Sequence, residues 1–121
     1  MSITDVAPTA SEILVFVADL VPAAARVKAS ETLESVRTAL DVRHMLTDDE
    51  VELLETSVPR LEALLATHDA LWGLHDQLTA AVNEGRDGDD EMVVLLTVAL
   101  VQAMDRWHEL LMREPRFSWA P

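Results

Sequence analysis

Four histidines are the side chains in this sequence best suited to proton transfer near neutral pH and to metal ligation, and each lies close to an acid. His44 and His108 follow an aspartate by three residues, in Asp41-Val42-Arg43-His44 and Asp105-Arg106-Trp107-His108. That spacing puts carboxylate and imidazole on one face of a helix, where both could reach one ion. His68 and His75 directly precede Asp69 and Asp76 in the stretch HDALWGLHD. On a helix rising 1.5 Å per residue these two histidines lie about 10.5 Å apart, too far to share an ion. Asp41, His44, His68, His75, Asp105 and His108 are thus the candidate metal ligands. A site needs three or more of them at one point, with ligand distances of about 2.0 to 2.2 Å.

The two Asp-x-x-His pairs resemble the Glu-x-x-His pairs of ferritin-like di-metal carboxylate proteins, in which two further carboxylates come from other helices. The resemblance implies a di-metal site built on Asp41, His44, Asp105 and His108, with Asp19 and Glu62 as the additional carboxylates. Aspartate stands where that family has glutamate in both pairs, and the chain is small for that fold. For His68 and His75 the residues themselves favour a plainer role, as neutral imidazoles hydrogen-bonded in or beside a core. A further role is an interface that loosens when such imidazoles take up protons. Nucleophilic chemistry has no support. There is no cysteine, Ser11, Ser30, Ser35, Ser57 and Ser118 lack a nucleophile-elbow context, and no glycine-rich phosphate loop occurs. The expectation is a non-enzymatic protein without a cofactor.

The elements that would position these residues are helices. The chain has 121 residues, half of them apolar, with three glycines, no tyrosine and two phenylalanines, which suits one all-α domain over residues 1–121. The expected architecture is a bundle of about four helices with a kinked, long third helix and a very apolar fourth. Residues 1–8 read as a loose leader. Thr9-Ala10-Ser11-Glu12 has capping-box form and opens a short helix to about Val21. Pro22 suits the start of a second, Ala23 to Leu46, with Leu33, Val36 and Leu40 as its apolar stripe and Ser30 as a potential break. Thr47-Asp48-Asp49-Glu50 is another capping box and opens a third helix, Asp48 to about Asn83, stopped by Gly85 and kinked or split at Pro59. The acidic stretch EGRDGDDE, 84–91, reads as a loop before a fourth helix from Asp89 to about Arg113.

In heptads from Val51, the third helix alternates Val51, Val58, Leu65, Trp72 and Thr79 with Leu54, Leu61, His68, His75 and Val82. HDALWGLHD is thus first a heptad repeat, with one seam histidine on either side of Trp72. Leu64, Leu71 and Leu78 widen the apolar face. Ala63, Ala66, Ala70, Gly73 and Ala80 form a small-residue face that admits a close neighbour, which would explain a glycine costing about 1 kcal/mol inside a helix.

Charge narrows the partners. Twenty-two acids oppose nine bases, a formal net charge of −13, which disfavours direct contact with nucleic acid or an anionic membrane. No segment reaches membrane-spanning length. The apolar stretch ILVFVADLVPAAA lacks the basic flank of an export signal, so a cytoplasmic protein is expected. The expected partner is a basic protein surface, met by Glu55, Glu62, Asp69 and Asp76 along the third helix and by Asp87, Asp89 and Asp90 in the loop. Arg116, Phe117 and Trp119, in the tail 114–121, would anchor it or cap the chain's own bundle. A nucleic-acid mimic is one form of this reading. MVVLLTVALVQAM in the fourth helix is apolar on nearly every face, which points to a homodimer through helix 92–112.

Overall fold

The computed structural model describes residues 9–113; the leader and the aromatic tail, with Arg116, Phe117 and Trp119, lie outside them. The described residues are all-α. Helix α1 covers Ala10–Leu20, α2 Ala23–Asp41, α3 Asp48–Asn83 and α4 Glu91–Arg113, with a single 3-10 turn at Arg43–Met45. None is long and apolar enough to cross a membrane.

Local chemistry sets the boundaries. Thr47 Oγ1 accepts from the Glu50 backbone N–H at 3.2 Å, and the Glu50 carboxylate accepts from the Thr47 N–H at 3.4 Å, the full capping box. At Thr9 only the first half forms, Thr9 Oγ1 accepting from the Glu12 N–H at 3.2 Å. Gly85 ends α3 with φ +82°, and the Gly85 and Arg86 N–H groups donate back to the Val82 and Ala81 carbonyls, the glycine-dependent Schellman stop. Asp90 Oδ1 accepts from the Met92 N–H at 2.9 Å and so starts α4. Ser30 produces no break in α2, and α3 runs through Pro59 without splitting.

The expected bundle of about four helices is laid out as three antiparallel passes. α1 and α2 follow one another along the same side of α3, so that Arg37 meets Glu62, Arg26 meets Asp69, Val21 meets Trp72 and Leu14 meets His75. The break between them has a covalent cause. Pro22 lacks an N–H and bars its predecessor from helical geometry, and Val21 sits at φ −129°, ψ 63°. α4 then returns along α3, its end fixed by Arg60, whose guanidinium donates to the Arg113 carbonyl at 2.9 Å. α1 therefore lies parallel to α4, α1 against the C-terminal half of α3 and α4 reaching back along it to Arg60.

This layout moves the core relative to the heptad seam. The deepest rows of α3 are Leu54, Leu61 and His68 beside Ser57, Leu64, Leu71 and Leu78, while Val51, Val58, Leu65 and Trp72 are only partly buried. A helix packed on two sides buries two adjacent rows, whereas a heptad seam assumes one facing partner. Each fully buried leucine, Leu61, Leu64, Leu71, Leu78 and Leu100 among them, contributes about 1.5 to 3 kcal/mol. α4 is not enclosed. It buries Val93, Leu100, Trp107 and Leu110 and leaves Met92, Val94, Leu95, Val98 and Val101 exposed.

Candidate functional site

The stretch HDALWGLHD closes the break between α1 and α2. Trp72 donates its indole N–H to the Val21 carbonyl at 2.9 Å. His68 Nε2 lies 3.3 Å from the Pro22 carbonyl and His75 Nε2 3.1 Å from the Leu14 carbonyl. A carbonyl only accepts, so both imidazoles carry their proton on Nε2. Nδ1 of each is buried without a hydrogen-bond partner. The rings form one cluster: His68 meets Trp107 of α4 edge-on at 5.4 Å between centroids, and Trp72 meets His75 at 4.5 Å. Burial pushes the His68 pKa below its ordinary value, partly offset by the Pro22 carbonyl and by Asp69. The cluster is thus a structural clamp that holds α1 against α3.

The six candidate metal ligands do not converge. Among the described residues no group of three or more histidines and acids is placed to hold an ion. His68 and His75 spend their Nε2 atoms on α1 and α2, His44 lies in the 3-10 turn, and His108 lines a cleft on α4 beside Asp19. The di-metal arrangement implied by the two Asp-x-x-His pairs does not assemble here.

The acidic row of α3 is only partly a free surface. Arg26 clamps Asp69 through Nε at 2.6 Å and Nη2 at 3.1 Å, and Arg37 reaches Glu62 at 3.3 Å. The Arg26 hydrogen bonds hold the Asp69 carboxyl below its ordinary range. Glu55 and Asp76 remain exposed at the two ends of the row. In the loop, Asp87 and Asp89 are exposed, whereas Asp90 pairs with Arg86 at 3.3 Å and caps α4. Much of the row that the sequence nominates for a basic partner is the seam between α2 and α3. Gly73 also differs from expectation, because a Cβ at that position would meet nothing within 4 Å. The small-residue face is open at Ala66, Ala70, Gly73 and Ala80, and Ala80 also lines a groove of about 850 Å³ with Leu95, Leu96, Ala99, Arg86 and Asp90.

Among the described residues, the largest concentration of exposed apolar side chains lies on α1 and α4. Phe16 is 55% exposed, Leu20 51%, Val94 44%, Val98 50% and Val101 38%, all well above what a core-facing side chain retains. Two clefts run between the helices. One, of about 390 Å³, lies between Ala10 and Val94, Thr97 and Val98. The other, of about 210 Å³, lies between Leu20 and Met104, His108 and Leu111. Each helix turns the neighbouring side to the core, through Val17 on α1 and through Val93, Leu100 and Trp107 on α4. Phe16 and Leu20 are absent from the sequence-derived candidates. Their signal is that ILVFVADL, residues 13–20, is apolar on more faces than one helix in a small bundle can bury.

Comparison of the chain with family models, curated proteins and solved structures gave no match.

Proposed function

We propose that this chain is a non-enzymatic interaction module, a small regulator, inhibitor or accessory protein that docks a protein partner on the face formed by α1 and α4. The observation that carries this reading is the set Phe16, Leu20, Val94, Val98 and Val101, large apolar side chains left at the surface of two neighbouring helices with clefts between those helices. Single exposed apolar residues are ordinary, but adjacent ones on two helices mark a contact surface. The high net negative charge favours a basic partner, because complementary charge speeds encounter and rejects like-charged competitors. The homodimer expected from the apolarity of helix 92–112 would use the same side chains, so a second copy is the competing occupant of this face.

Photo-crosslinking in the host cell tests the reading. A photoreactive residue at Leu20 or Val98 should give a discrete crosslinked protein, while the same residue at Glu34, on the far side of α2, should give none. Equal or absent crosslinking at all three positions would overturn it.

A further inference from the structure

We propose that the α1/α4 face takes an amphipathic helix of basic character from a partner protein, its apolar stripe on Phe16, Leu20, Val94, Val98 and Val101 and its basic residues on the acids at the groove rim. This rests on the docking face proposed above and adds its occupant.

Charge selects the occupant. α1 carries Glu12 and Asp19 and no base at all. On the facing side, α4 carries Glu91 and Asp105. All four acids are exposed, and none takes part in an ion pair among the described residues. The paired bases are engaged elsewhere. Arg26 and Arg37 hold α3, Arg86 holds the turn, and Arg106 and Arg113 both reach Glu109. Among the described residues α1 has no base and the arginines of α4 are paired with Glu109, so a second copy docked here would set these acids against like charge, whereas lysines or arginines flanking an apolar stripe would meet them directly.

Shape selects a helix. The groove between two parallel helices is the seat of helix-in-groove recognition, read through anchors at i, i+3, i+4 and i+7. Its length is set by the eleven residues of α1, about 16 Å or three turns at 1.5 Å per residue. Val94, Val98 and Val101 repeat that spacing along one side. Across the groove Ala10 faces Val94 and Val98, Leu20 faces Met104, His108 and Leu111, and Phe16 lies one turn before Leu20 on α1. The two clefts at its ends accept larger side chains.

Calorimetric titration of the full chain tests this with a synthetic leucine–lysine amphipathic helix of about 16 Å. The controls are the same composition scrambled so that no apolar stripe forms, and the stripe with glutamates in place of lysines. The amphipathic basic peptide should bind at least about tenfold more tightly than either control and lose affinity as salt rises. Val98→Asp and, on the other helix, Leu20→Asp should each weaken it about tenfold or more, while Val27→Asp on the exposed side of α2 should not. Circular dichroism verifies that each variant is folded. Equal binding of the scrambled peptide, unaffected by Val98→Asp, would reduce the effect to general charge attraction and overturn the proposal. A light-scattering dimer that Val98→Asp converts to a monomer, with no peptide binding, would make a second copy the occupant and leave the docking face standing. If neither peptide binding nor self-association depended on Val98 or Leu20, the docking face itself would be wrong.

Discussion

Trp72 and Val21 lie on different helical passes, yet the Trp72 indole N–H is the donor that satisfies the Val21 carbonyl, 2.9 Å away, where Pro22 interrupts the chain. Val21 is 1% exposed, so no water competes for that carbonyl. The α1/α4 face exists because this contact and its two histidine neighbours hold α1 against α3.

Trp72→Phe keeps most of the ring and removes the N–H. It should destabilise the chain by about 1 to 3 kcal/mol, the cost of leaving a buried carbonyl unpaired. Urea denaturation measures the loss, and amide exchange should quicken in Ala10–Leu20 before it does in the buried turns of α3 around Leu71.

Acid should weaken the fold through His68. Burial lowers its folded pKa below the ordinary 6.5, with Asp69 raising it and Arg26 lowering it from α2. The unfolded chain then takes up the proton first as pH falls. The stabilisation from neutral His68 is complete above about pH 6.5, declines below it by at most about 1.4 kcal/mol per pH unit, and levels off below the folded pKa. The Asp69 contribution, present above its ordinary 3.8, is lost only in more acid solution, so the two windows separate. Urea midpoints between pH 8 and 5 should fall in the native chain and flatten in His68→Gln, which keeps a donor near Nε2.

The helix-interior and helix-end glycines should respond with opposite signs. Gly73 has helical backbone, and a methyl group at that position would meet open space, so Gly73→Ala should stabilise the chain by about 0.5 to 1 kcal/mol. Gly85 holds φ +82°, and Gly85→Ala should cost about 1 to 2 kcal/mol. Thermal or urea unfolding of the two variants checks both.

Neutralising the paired acids of α3 should matter little for docking. Asp69→Asn and Glu62→Gln remove exposed pairs with Arg26 and Arg37, and affinity for the basic amphipathic helix should stay within about twofold. Glu12→Gln with Asp19→Asn should instead lower its association rate and flatten its salt dependence, as stopped-flow kinetics would show.

The local grammar of this chain was legible from its residues. Thr47 with Glu50, Gly85 and Pro22 mark real boundaries because caps and proline act within a few residues of themselves. Relations across the fold were not. Nothing local tells that Arg26 and Arg37 are spent on Asp69 and Glu62, or that His68 and Trp72 answer carbonyls at the Val21–Pro22 break and His75 one inside α1. The break at Pro22 predicted a new helix but not its direction, and direction decides between four packed helices and three passes. The apolar runs MVVLLTVALVQAM and ILVFVADL are both in the sequence, but that Phe16 and Leu20 stay exposed on a helix beside α4 emerged only with the fold.

A docking surface on α1 and α4 must be covered by protein in the cell. Carbene footprinting of the chain in host extract, compared with the purified chain at low concentration, reads this without knowing the partner. Labelling at Phe16, Leu20, Val94, Val98 and Val101 should drop in extract while labelling at Val27 and Met45, exposed elsewhere on the chain, stays unchanged. Equal labelling of all seven residues in both samples would contradict the central claim.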